Sequence, residues 1–228
     1  MKQFFVLLLL TVSLSAFAEV YPTKFLGIPI DGTKEEMVKK LQQKGYHYES
    51  DGGYLWGEFN GEDVLIHLVT YNNKVWRVFV NYTTPRSGAQ LRLAYNRLFN
   101  QFSNNQNYIS ADFKQELIPA DEDVAYEMTI KDKTYQASFL QKTHELDTVA
   151  IKQYTLDCVE SFKTSSALEG KIYTEEESAA AALLCMFLGV ASEYSNNSVW
   201  FTITKMTGQY YISLYYDNLY NQANGEDL

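Results

Sequence analysis

The chain has 228 residues, 46% of them hydrophobic, and a formal net charge of -9 from 19 basic and 28 acidic side chains. A chain of this size buries one substantial core, or two small ones, without disulfide staples. Its acidic balance, with no segregated cluster of Lys and Arg, disfavours nucleic acid or any other polyphosphate as a partner.

Met1-Lys2, an apolar run from Phe4 to Leu10, and Ala16-Phe17-Ala18 before Glu19 read as a signal peptide over residues 1–18, cut between Ala18 and Glu19. The apolar run falls short of the roughly 20 residues that span a bilayer. No cysteine follows the cut to take a lipid. The mature chain is therefore expected in the periplasm or outside the cell, with no stable membrane insertion after cleavage.

Thr33 and Glu36 form a capping-box pattern, Met37, Val38 and Leu41 share one helical face, and Gly45 supplies a left-handed stop. Beyond it the period changes to two. Asn60-Gly61 and Asn72-Asn73 mark hairpin turns between Trp56, the run Val64 to Tyr71 and the run Val75 to Tyr82. Alternation puts Trp76, Val78, Val80 and Tyr82 on one face and Arg77 and Asn81 on the other. Leu91, Tyr95, Leu98 and Phe102 then recur at helical spacing.

Strand-like segments follow at Tyr126 to Ile130 and Tyr135 to Leu140, around the charged turn Lys131-Asp132-Lys133. Val149 to Leu156 either closes this group as a strand, which its β-branched alternation weakly favours, or opens a helix toward Phe162. A helix starts at Thr174, where Glu177 completes a second capping box, and its apolar residues from Ala179 to Ala191 read as buried on most sides. Gly189 either admits a close neighbour or marks a fraying end. Two strands, Val199 to Thr204 and Gln209 to Tyr216, turn at Thr207-Gly208. The order predicts an α+β fold of antiparallel β-meanders with short helices packed on them, in which helix-then-strands modules recur three times. Residues 19–228 form one compact domain or two tightly packed subdomains, with a boundary near 105–125.

Cys158 and Cys185 are the only cysteines. Either they pair, as an oxidising compartment permits, or they serve as small buried apolar side chains. His47, His67 and His144 show no metal-ligand spacing, and no Gly-x-Ser-x-Gly elbow or phosphate-cradling glycine loop is present. The sequence thus calls for no catalytic residue, metal or cofactor. Eighteen tyrosines are its main compositional signal. In the last strand Tyr211 and Tyr215 share one face, with Tyr210, Ile212, Leu214 and Tyr216 on the other. Either that sheet is packed on both faces, or Tyr211 and Tyr215 face water as a rigid binding surface.

Phe25-Leu26-Gly27-Ile28-Pro29-Ile30-Asp31-Gly32-Thr33, continuing to Lys44-Gly45-Tyr46, and the stretch from Tyr215 to Leu228 resemble segments of uncharacterised exported proteins of Gram-negative gut anaerobes. The resemblance covers both ends well and the middle poorly. It implies a periplasmic or extracellular setting and carries no known activity, so it assigns no functional residue. Short helices on antiparallel sheets also resemble secreted inhibitor-like and envelope-assembly modules, at the level of fold alone. The expected function is that of a non-catalytic binding or envelope-associated protein whose partner is a protein or glycan of the envelope or exterior. The alternative is a hydrolase acting on envelope or dietary polymers.

Overall fold

The fold is given by a computed structural model that describes residues 20–112, 114–168, 174–223 and 225. The expected signal peptide and its Ala18–Glu19 cut lie outside those residues. A short ribbon of β1 (Lys24–Phe25) and β2 (Ile28–Pro29) leads into α1 (Lys34–Gln43). Thr33 Oγ1 accepts from Glu36 N at 3.2 Å while Glu36 Oε2 accepts from Thr33 N at 3.0 Å, so two amides left open by the first turn are satisfied together. Gly45 follows at φ +95°, a conformation that a Cβ would strain.

Strands β3 (His47–Glu49), β4 (Tyr54–Phe59), β5 (Glu62–Tyr71) and β6 (Lys74–Tyr82) form an antiparallel meander. Asn60 and Gly61 have φ of 56° and 75°, and Asn72 and Asn73 have φ of 46° and 62°. Positive φ at both central residues gives each turn the twist of its flanking strands. The β5–β6 register shifts between Val69 and Thr70, and Val75 rather than Trp76 takes the fully buried position. The expected placement of Trp76 with Val78, Val80 and Tyr82 is therefore corrected: a bulge adds a residue and re-aims the side chains beside it.

After α2 (Gly88–Ser103) and β7 (Tyr108–Ser110) comes α3 (Val124–Ile130), where alternation had predicted a strand. The segment is helical because Asp123 caps Tyr126 N at 3.1 Å and Lys131 pairs with Glu127 one turn back. Val124 is buried and Met128 packs beside it on the core, while Tyr126 and Ile130 are exposed, a spacing of four rather than two. Beyond β8 (Gln136–Gln141), the strand reading of Val149 to Leu156 also gives way to helix, within α4 (Thr148–Leu168). Asp147 Oδ1 accepts from Val149 N and Ala150 N, both at 3.0 Å, and starts it.

Helix α5 (Glu175–Glu193) opens on the expected capping box at Thr174 and Glu177. It is not buried on most sides. Cys185 and Gly189 are buried, whereas Leu183 is 63% and Met186 47% exposed. A Cβ on Gly189 would lie 3.0 Å from Tyr154 Cδ1, so this glycine admits α4 closely. One turn away Cys158 and Cys185 form a disulfide with Cα atoms 5.8 Å apart.

Strands β9 (Asn197–Met206) and β10 (Gln209–Asn218) complete an eight-stranded antiparallel sheet in the order β3-β4-β5-β6-β10-β9-β8-β7. The last hairpin is thus inserted between the first meander and the middle pair. Both edge strands are three residues long, which limits further pairing. Helices α1 and α2 cover one face over a core that includes Met37, Leu41, Ile66, Val80, Leu98, Phe102, Phe139, Phe201 and Leu214. Buried amides hold the N-terminal ribbon to this sheet. Gln141 pairs with both backbone groups of Lys24, at 2.6 and 2.9 Å, Asn197 Nδ2 donates to Tyr21 O at 2.7 Å, and Asn218 Nδ2 donates to Ile30 O at 2.7 Å.

Candidate functional site

The face turned away from α1 and α2 carries the side chains of opposite parity. Register places Tyr54, His67, Phe79, Tyr215 and Trp200 in one row across β4, β5, β6, β10 and β9. Their ring centroids follow one another at 5.8, 5.6, 4.9 and 3.8 Å. Between His67 and Trp200 the interplanar angles are 23°, 13° and 10°. Strands lie about 4.8 Å apart, so these rings stand upright on the sheet, each face against its neighbour. Their edges point outward, and Trp200 ends the stack opposite the small Ser138 of β8.

The next row holds a charged clamp. Arg77 Nε and Nη2 donate to Asp217 Oδ1 and Oδ2 at 2.6 and 2.7 Å, a bidentate pair that fixes the guanidinium plane. Trp200 Nε1 donates to Asp217 Oδ2 at 3.0 Å, which fixes the indole as well. The guanidinium carbon lies 4.3 Å from the Trp76 ring centroid and 5.0 Å from that of Tyr215. The bulge at Val75 and Trp76 therefore brings a third aromatic group to the arginine. On the far side of the ladder Trp56, 48% exposed, stacks on His47 at 4.3 Å. All three tryptophans of the chain gather on this surface, and none is fully buried.

Of the two residues singled out in sequence, Tyr215 sits at the centre of the ladder. Burial raises its phenol pKa, with Arg77 acting in the opposite direction. Tyr211 lies on the same face, about 13 Å along β10 at roughly 3.3 Å per residue, and its hydroxyl donates to Gln209 Oε1 at 2.8 Å. Both are half-buried. Sequence reasoning missed Phe79, Trp200, Arg77 and Asp217 as members of this site. Alternation held a signal for the first two, since each is flanked by core residues, Val78 and Val80 or Val199 and Phe201. What was lacking was the register that aligns them.

Chemically this surface offers stacked rings, outward ring edges and a fixed guanidinium, groups suited to binding. Burial, aided by the charge of Lys34, lowers the His67 pKa, so the imidazole is neutral at pH 7 between Tyr54 and Phe79. The one carboxylate in the row below, Asp217, is held by Arg77 and Trp200. Among the described residues no group of three His, Cys, Asp or Glu side chains is placed to hold a metal ion. No helix among them is long and apolar enough to cross a membrane. No protein-family model matches the chain, and no curated protein or solved structure is significantly similar to it.

Proposed function

We propose that the chain is an exported, non-catalytic binding protein that engages a protein of the cell envelope or exterior through the open face of its sheet. The observation that carries this reading is the gathering of all three tryptophans, Tyr211, Tyr215 and a clamped arginine on one solvent-facing surface. Trp, Tyr and Arg are the residue types that dominate binding energy at protein interfaces. Stacking and the Asp217 clamp hold these side chains in place before any partner arrives, so little rotamer freedom is left to lose on association. The Cys158–Cys185 disulfide supports an oxidising compartment and hence export. A glycan partner is the weaker reading, because sugars stack on ring faces and most of the faces here are occupied by neighbouring rings. For the hydrolase alternative, the cavity beneath α2 is lined by one carboxylate, Glu58, where paired-acid chemistry needs two.

The test is to immobilise the mature chain and probe it with envelope and secreted fractions of its own cell, and in parallel on a glycan array. A saturable protein partner is expected, bound 10- to 30-fold more weakly by Trp56→Ala and Tyr211→Ala, on the scale of an interface hot spot. Array binding that the same variants abolish would transfer the surface to glycans. Absence of any saturable partner in both formats overturns the proposal.

A further inference from the structure

On the covered side of the sheet, α2, the β1–β2 turn and the β4–β5 turn border a cavity of about 490 Å³ that opens to solvent. This lies within the range of small-ligand sites, roughly 300 to 1,000 Å³. Leu26, Phe59, Leu98, Phe102 and Leu214 give it apolar walls, and Tyr46, Tyr108 and Tyr216 bring hydroxyls to it. Asn60 and Gln101 clasp each other at its exposed rim through reciprocal amide bonds of 2.9 and 3.2 Å.

The hydroxyls are not interchangeable. Tyr108 Oη accepts from Gln141 Nε2 at 3.0 Å and is also hydrogen-bonded to the hydroxyl of Tyr216. Burial, neighbouring phenols and that bond push the Tyr216 pKa well up. A phenol oxygen has two lone pairs. With one of them taken by Gln141, Tyr108 has its own O–H to offer. Tyr46 is the reverse case: its O–H is committed to Glu58 O at 2.8 Å, and its lone pairs remain free to accept. Between its apolar walls the cavity therefore presents the Tyr108 donor and the Tyr46 acceptor, with the amides of Asn60, Gln101 and Asn105 beside them. Among the described residues no cationic side chain lines it, and its one carboxylate is the exposed Glu58. A charged ligand would find no cationic counter-ion among these lining side chains.

We infer that this cavity is a binding site for an uncharged, ring-bearing small molecule with a carbonyl or hydroxyl oxygen that accepts from Tyr108, a site separate from the open sheet face. The probe is prodan, a neutral naphthalene ketone, titrated into the full mature chain and followed by its emission, with anilinonaphthalene sulfonate as the anionic comparator. Saturable one-to-one binding with blue-shifted emission is expected for prodan, at least tenfold tighter than for the sulfonate. Gln101→Trp replaces an exposed side chain at the rim and should weaken prodan at least tenfold. Tyr108→Phe should weaken it about five- to tenfold, the value of one hydrogen bond. Trp200→Ala, on the opposite face, should leave it unchanged. No saturable binding, equal affinity for the sulfonate, or an affinity unmoved by Gln101→Trp each overturns the inference. The last result would place the probe on the exposed apolar side chains of α4 and α5.

Discussion

Helices α4 and α5 pack mainly on each other, and their tie to the rest of the fold is at their base, where Ile151 is buried and Tyr194 Oη donates to His144 O at 2.8 Å. Most large apolar side chains of α5 stay in water, so its own burial contributes little. The disulfide closes a separation of 27 residues. In the chain-entropy relation a loop of that length is worth about 3.5 kcal/mol. The double variant Cys158→Ala/Cys185→Ala should therefore loosen the hairpin as a local unit, leaving the sheet intact. Divided by 1.4 kcal/mol per decade, the loss corresponds to amide exchange in the middle of α4 and α5 about 300-fold faster. Exchange in β5, β6, β9 and β10 should change by less than about threefold. Native-state hydrogen exchange read by mass spectrometry measures both. Unchanged protection of the hairpin would show that the staple is redundant. Equal acceleration in the sheet would show that the hairpin belongs to one global cooperative unit, and either result refutes the reasoning.

Asp217→Ala strands Arg77 and the Trp200 indole together; because Arg77 keeps some solvent access, the cost in urea unfolding should be about 2 to 3 kcal/mol, below the range for fully buried pairs. Asp217→Asn, which can still accept from one donor, should cost less. Gln141→Leu leaves both backbone groups of Lys24 and the Tyr108 hydroxyl without their partner, and should cost about 2 to 3 kcal/mol with faster exchange at Lys24. No change in either would show that Gln141 contributes nothing to holding the ribbon. Burial pushes the Tyr95 phenol up to about 12 from an ordinary value near 10. Above pH 10 the unfolded chain releases this proton and the folded chain retains it, so stability falls by about 1.4 kcal/mol per pH unit until the folded pKa is reached. Tyr95→Phe should flatten that alkaline decline between pH 10 and 12, and a profile parallel to wild type would count against the burial argument.

Local chemistry was readable wherever the signal is carried by adjacent residues. Thr33 with Glu36, Thr174 with Glu177, and the Asn60-Gly61 turn all act through bonds spanning two or three positions, and each stands where the sequence put it. The failures share another cause. Tyr126 to Ile130 and Val149 to Leu156 are short apolar runs that fit either period, and the deciding groups, Asp123 and Asp147, lie outside the runs themselves. The exposure of α5 was illegible for a different reason. An apolar pattern shows that a helix can be buried, and only packing shows whether a partner covers it. The candidate site depended on register between strands 12 to about 150 residues apart in the chain, and no local pattern holds that.

Strand β10 decides the fate of both surfaces through parity. Tyr216 and Leu214 point to the α2 side and line the cavity, while Tyr215, Ser213 and Asp217 point away and build the ladder and its clamp. A slip of one residue would exchange the two sets, placing the Asp217 carboxylate against the core and Leu214 on the ladder face. Two features oppose it. Buried Ser213 accepts a place between Asn81 and Thr204, with hydrogen bonds of 2.8 and 2.9 Å, and the Thr207-Gly208 turn fixes ten consecutive pairs between β9 and β10. The same tyrosine side chain thus serves as a hydrogen-bonding wall at position 216 and as a stacked ring at position 215, and the hairpin turn that sets the register sets both roles at once.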